Sequence, residues 1–245
     1  MKFSQKFICL IFVLSLGTMV AWSWPGSSDK FPADQIQEVE ISKLAGKVDI
    51  EATSQSNAWI EKVRQTCPLE AKLNGSTLSI VESCAKPGAC NCGPSKIKVY
   101  LPAQAKLNVK NVAGDVEVEG MQGPATFAIT SGELELEQSS GTVNATVANG
   151  KVDFSKFTGT ANIKVTNGKV DVSLKKSPST GPIYIETTNG DIEVECPPDM
   201  EVAADLKVTA GMVINEFTDS KSPSAVKIFA KSLAGNIHIE KDLDD

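Results

Sequence analysis

One short pattern, recurring in constant phase, limits what this chain can fold into more than any other feature. From residue 114 it repeats glycine, any residue, apolar, any residue, apolar: Gly114-Asp-Val-Glu-Val118, Gly132-Glu-Leu-Glu-Leu136, Gly150-Lys-Val-Asp-Phe154 and Gly168-Lys-Val-Asp-Val172. It continues at Gly190-Asp-Ile-Glu-Val194 and Gly235-Asn-Ile-His-Ile239, and the four glycines from 114 to 168 stand 18 residues apart. Later steps, through Gly190, Gly211 and Gly235, lengthen to 22, 21 and 24. A weaker series lies halfway between, at Gly123, Gly141-Thr-Val-Asn-Ala145, Gly159-Thr-Ala-Asn-Ile163 and Gly181-Pro-Ile-Tyr-Ile185.

Alternation with period two turns one face of a strand inward and the other to solvent. Each half-repeat therefore reads as a strand of about five residues and a glycine-containing bend. Two such strands cannot bury their apolar faces alone, but stacked copies build a continuous core. The prediction is an all-β fold: a single-stack parallel β-solenoid, or β-helix, of 18–22 residues per turn, each strand pairing with its counterpart one turn away. An antiparallel sandwich or meander of short hairpins is the rival, and the constant glycine phase favours stacking.

The earlier part is less regular. Gln37–Ile41, Gly46–Ile50, Trp59–Val63, Leu78–Val81 and Lys96–Leu101 read as strands, with Asn74-Gly75 as a turn. They form irregular opening turns of the same array. The stretch 84–94, with Pro87, Gly88, Gly93 and Pro94, reads as a loop. Val226–Phe229 and Gly235–Ile239 read as the last rungs. The expected organisation is a signal peptide over 1–23, a linker over 24–35, the solenoid domain over 36–240 and an acidic tail over 241–245.

The leader rests on Lys2 and Lys6, an apolar run from Phe7 to Val20, and Ala21-Trp22-Ser23 as a cleavage site. About fourteen apolar residues are fewer than the roughly 20 that span a bilayer, which argues against an uncleaved anchor. Cys9 lacks the lipoprotein setting. Export to a periplasm or beyond follows, and the mature chain carries no further run of membrane-spanning length. The formal net charge of −6 falls by two when Lys2 and Lys6 leave, so nucleic acid and anionic membrane are poor partners. Export makes disulfides the first expectation for Cys67, Cys84, Cys90 and Cys92, with no pairing singled out. Cys196 is left over, as a buried thiol, an intermolecular bridge or a partner to another cysteine. Cys84-x5-Cys90-x-Cys92 does not match structural zinc spacing, and no metal site is assigned.

Catalytic residues are scarce. His238, the single histidine, lies between inward isoleucines and faces solvent, so neither a zinc motif nor a triad can be built. Outward Asp115, Glu117, Glu133, Glu135, Asp153, Asp171, Asp191 and Glu193 form an acidic face interleaved with Lys151 and Lys169. Carboxylate pairs there have the spacing of glycosidase pairs. Their abundance argues for a solvated face, and weak divalent-cation binding is a lesser alternative. No catalytic residue and no cofactor is assigned. The other face offers Thr142, Asn144, Thr160, Asn162 and Tyr184, a flat polar surface suited to a glycan, or plain polar exterior. Met212 and Ile214 take outward positions where charges sat before, which marks a contact spot or a register shift.

Lys96-Ile-Lys-Val-Tyr-Leu-Pro102, Leu107-Asn-Val-Lys and Val112-Ala-Gly-Asp-Val-Glu-Val-Glu-Gly120, followed by Thr130-Ser-Gly132, Thr166-Asn-Gly168 and Thr188-Asn-Gly190, resemble the adhesin-type family of bacterial exported β-strand-repeat proteins. That resemblance covers most of residues 36–240. It implies a parallel β-solenoid in exported or membrane-tethered bacterial proteins, attachment as the role, and no catalytic residues to carry over. The expectation is a non-enzymatic binding or scaffold protein of the cell envelope or surface, whose partner is an envelope or surface component such as a glycan. A self-assembling envelope component and a polysaccharide-acting enzyme are the alternatives.

Overall fold

The structure, a computed structural model, describes residues 29–83, 93–177 and 180–242. The leader, Cys84, Cys90 and Cys92 lie outside the described residues. The strands are β1 (Asp29–Pro32), β2 (Glu38–Thr53), β3 (Asn57–Arg64), β4 (Leu69–Asn74), β5 (Thr77–Glu82), β6 (Ser95–Pro102), β7 (Lys106–Ala113), β8 (Val116–Glu119) and β9 (Ala125–Glu137). They continue with β10 (Thr142–Phe157), β11 (Thr160–Asn167), β12 (Val170–Leu174), β13 (Ile183–Asn189), β14 (Ile192–Cys196), β15 (Val202–Ala210), β16 (Val213–Asn215), β17 (Val226–Ala234) and β18 (Ile237–Lys241). One 3-10 turn, Ala33–Gln35, is the only helical segment among the described residues. The fold is all-β, and all eighteen strands join one hydrogen-bonded network.

Pairing runs in two ladders. The first follows β4, β5, the start of β2, β7, the starts of β9 and β10, β11, β13, β17 and β15. The second follows β1, β3, β6, the end of β2, β8, the ends of β9 and β10, β12, β14, β18 and β16. In mid-array, partners are 18 residues apart, as Val143 with Ala161 and Val152 with Val170. Val143, Ala145 and Val147 of the first ladder and Val152 and Phe154 of the second are all buried in one core cluster. β2, β9 and β10 pass through the glycine without a break, so each makes a rung of both ladders, where the sequence suggested two separate short strands.

The glycine makes that passage possible. Gly168 sits at φ +148°, and a Cβ there would overlap the carbonyl of Gly150, whose own Cβ would overlap that of Gly132. A side chain is excluded twice, by dihedral and by contact with backbone one rung away. Beside this column the Asn-Gly pairs build an amide ladder: Asn167 Nδ2 donates to Asn149 Oδ1 at 3.0 Å, and Asn189 Nδ2 donates to Asn167 Oδ1 at 2.9 Å. At the N-terminal end Ser95 replaces the glycine, opposite Gly46. Its hydroxyl donates to the buried Glu82 carboxylate at 2.6 Å, and the buried Lys43 ammonium donates to the carbonyls of Ala45 and Ser95. Burial pulls the Lys43 amine below its ordinary value, and Glu82 opposes that.

The array departs from simple serial stacking at both ends. β1–β3, β3–β6 and β4–β5 are antiparallel, so hairpin-like pairings cap the opening turns, in which β5 and β6 still run parallel to β2. Asp29–Pro32, within the stretch read as a linker, is strand β1. The turn in β2 also lies between β5/β6 and β7/β8, out of sequence order. At the other end β17/β18 lie between β13/β14 and β15/β16, so they are the last rungs in sequence but not in space. Apolar burial explains this order. Val226, Ile228, Ala230, Ile237 and Ile239 are all buried, and a fully buried aliphatic side chain contributes about 1.5–3 kcal/mol. β15/β16 have less to bury, with Asn215 in the position of Ile239, and lose least at an end.

The glycine column generates a stability prediction. Gly168→Ala should destabilise by about 3 kcal/mol or more, from backbone strain plus the carbonyl clash. Gly75, at φ +60° with open space around its absent Cβ, is the control: Gly75→Ala should lose only about 1–2 kcal/mol. Urea midpoints of the two variants give the comparison, and equal losses would refute the close-contact argument.

Candidate binding faces

Outward residues of each ladder fall into columns because strand partners are in register. On the first ladder Asn108, Thr126, Asn144, Asn162, Tyr184 and Phe229 follow one another strand by strand. Thr142 pairs with Thr160 in the column beside them, and Lys164, Glu186 and Lys231 form the column on the other side. The structure therefore brings together all five residues singled out on this face. Thr142, Asn144, Asn162 and Tyr184 are exposed and Thr160 is half-buried. Asn108 and Thr126 complete the column and were readable from the same 18-residue step. Phe229 was not, since it lies 45 residues beyond Tyr184.

The Tyr184 and Phe229 rings stack with centroids 4.7 Å apart and planes 4° from parallel. That separation is the strand spacing itself, so the rings turn their edges outward and keep their outer faces along the array. A shallow hollow surrounds the pair, lined by Asn162, Lys164, Glu186, Asp205, Lys207 and Lys231. Lys231 Nζ lies 3.1 Å from Glu186 Oε1 and holds that carboxyl below its ordinary value. Apolar ring, amides, hydroxyls and paired charges thus share one flat surface.

On the second ladder Asp49, Glu117, Glu135, Asp153, Asp171, Glu193 and His238 form one column. Lysines from the neighbouring column thread between the rungs. Lys151 Nζ lies 2.5 Å from Asp153 Oδ2 and 3.1 Å from Asp171 Oδ2, and Lys169 Nζ 2.7 Å from Asp171 Oδ1 and 2.5 Å from Glu193 Oε2. Hydrogen bonds to Asp171 and Glu193 raise Lys169 to about 12. Lys96 reaches Asp49 at 2.9 Å, and Lys47 pairs with Glu117. Glu135 is the column carboxylate without a lysine partner among the described residues. Burial, then the charges of Glu117 and Asp153, push it above the ordinary carboxylate value.

His238 is half-exposed, with Nδ1 3.5 Å from Glu240 Oε2. Cys196 is a free thiol in the core, and burial pushes it up to about 12, which makes it packing and not a nucleophile. Met212, Val213 and Ile214 are 65%, 46% and 49% exposed. Val213 pairs with Ile237 and Ile214 with His238, so the register does not shift and the outward apolar positions are real. Half of the β15 edge is covered: Ser220 N–H donates to the Val202 carbonyl at 2.8 Å, and Ala204 N–H to Asp219 Oδ1 at 3.0 Å.

The unpaired carboxylate makes the acidic column testable. Because the folded state raises Glu135, it binds more protons than the unfolded state just above pH 4.5, and stability falls as pH rises there. Glu135→Gln should remove this loss, raising stability at pH 7 by a few tenths of a kcal/mol after solvent screening. The gain should vanish near pH 4, as read from urea midpoints at the two pH values.

No curated protein matches the chain. Several solved structures resemble it weakly. A candidate adhesin of Bacteroides fragilis aligns at 14% identity over 88% of this chain and 96% of its own, with a TM-score of 0.49. A candidate cell adhesion protein of Clostridium sporogenes aligns at 13% over 89% and 100%, with a TM-score of 0.36. A candidate lipid binding protein of Parabacteroides distasonis aligns at 13% over 88% and 96%, with a TM-score of 0.32. The family is set by the sequence model described as Toastrack DUF4097, which matches residues 30–242, and the chain belongs to that family.

Proposed function

We propose that this protein is a non-enzymatic, exported binding or scaffold protein of the bacterial cell envelope or surface. In this reading the array is a single-stack parallel β-solenoid of 18–22 residues per turn, tied by local disulfides among Cys67, Cys84, Cys90 and Cys92. The observation that carries it is the register of Asn108, Thr126, Asn144, Asn162, Tyr184 and Phe229 on one exposed, flat face. Amide and hydroxyl groups repeating at the strand spacing suit a ligand that also repeats, such as a glycan, with the aromatic pair as an apolar stop at one end. The adhesin-type names of several solved structures agree with an attachment role.

A second reading rests on a different observation. The β15/β16 end leaves Met212, Val213 and Ile214 exposed beside the uncovered half of the β15 edge. Exposed apolar side chains next to an open strand edge invite another sheet, and a second copy of the chain would cover both. Self-assembly through that end makes the protein a structural component.

Binding of the purified chain to an array of glycans and envelope components tests the first reading. Saturable binding to one class is expected. Replacing Thr142, Asn144, Thr160 and Asn162 together by lysine should abolish it, and Tyr184→Ala should weaken it about tenfold, near 1.4 kcal/mol. Binding that survives the lysine variant removes this face from the proposal. No binding at all, with a self-associating species in sedimentation that Ile214→Lys disperses, favours the assembly reading.

A further inference from the structure

At the end of the carboxylate column one side chain breaks the run of oxygens. His238 stands opposite Glu193 on the neighbouring strand, and Glu240 lies two residues on, on the same face. His238 Nδ1 is 3.5 Å from Glu240 Oε2, and one ligand atom from each of Glu193, His238 and Glu240 lies within 4.8 Å of the other two. A zinc ion with bonds of about 2.0–2.1 Å holds tetrahedral ligands about 3.4 Å apart. The imidazole and one carboxylate already have that separation, and rotation of half-exposed side chains closes the rest.

The surroundings differ from the rest of the column. The lysines that thread the earlier rungs end at Lys169, and the next positions of their column are Asp191 and Asn236. Lys169 reaches Glu193, but among the described residues no lysine reaches Glu240 within ion-pair distance. One carboxylate oxygen of Glu193 lies within 4.8 Å of one of Glu240. Two carboxylates that close repel each other, and a cation between them relieves that repulsion.

We propose that Glu193, His238 and Glu240 form a binding site for a divalent transition-metal ion of the zinc class, with the remaining coordination position open to water or an incoming ligand. One imidazole and two carboxylates suit zinc. Calcium takes six to eight oxygens and magnesium a strict octahedron of them, neither of which this set supplies. The site is independent of the Thr/Asn face, which lies on the other ladder.

His238 is the only histidine in the chain, so its ring proton resonances in tag-free, full-length protein report this site alone. Titration with Zn2+ should shift them saturably at one equivalent, while Ca2+ and Mg2+ at the same concentrations leave them in place. Binding should weaken as pH falls, because a protonated imidazole cannot ligate. His238→Asn and Glu240→Gln, both at the surface, should each weaken calorimetric zinc binding by at least the roughly 10–100-fold that loss of an outer-shell partner causes. Ring resonances that do not move, or zinc affinity unchanged in His238→Asn, would overturn the site and leave only diffuse binding to the acidic column.

Discussion

The array depends on one close contact, the passage of backbone over backbone at the glycine bends. Gly46, Gly114, Gly132, Gly150, Gly168, Gly190, Gly235 and Gly211 lie one above another along the second ladder's edge. With no Cβ in the way, the bends approach as closely as the strands on either side. Strand spacing therefore holds through the corner, which is why β9 and β10 pair without a break across it. Every column of outward side chains inherits its regularity from that contact.

Regularity has an electrostatic cost on the second ladder. Carboxylates one strand apart repel by roughly 1–3 kcal/mol per pair at dielectric constants between bulk water and a protein surface. Lys151 and Lys169 offset this because each reaches carboxylates on its own rung and the next. Where they are missing, the carboxylates show it: Glu135 is pushed above its ordinary value by burial and by the charges of Glu117 and Asp153. The first ladder avoids the problem with neutral Thr and Asn, and for that reason can present a continuous flat surface.

Most of mid-array was legible in the sequence. Glycine phase located the bends, alternation located the buried residues, and the same step aligned Thr142 with Thr160 and Asn144 with Asn162. What escaped has physical reasons. A repeat fixes which residues can pair but not which copy they choose, so the placement of β17 beside β13 had no local signal. Phe229 joined Tyr184 only through that placement. Antiparallel β3 and β4 carry the same alternation as parallel strands, and direction leaves no mark in hydropathy. Lys43 and Glu82 are buried together because Ser95 stands in the glycine column and opens a polar corner, an arrangement that alternation does not mark. His238 was placed on the solvent side, but its neighbour Glu193 was a strand away and 45 residues earlier.

The out-of-order turns at the two ends also bear on how such an array can change length over evolutionary time. A simple stack lengthens by adding a copy at either terminus, since each new turn needs only the last one as template. Here the turn in β2 and the turn in β17/β18 are each clasped on both sides by segments from elsewhere in the chain. A copy appended beyond either would meet no free edge of its own ladder. Only between β7 and β14, where neighbours in space are also neighbours in sequence, can a duplicated unit slot in without disturbing its surroundings. The ends thus work as fixed fittings around a middle of adjustable length, and the reach of either face is set by how many units that middle holds.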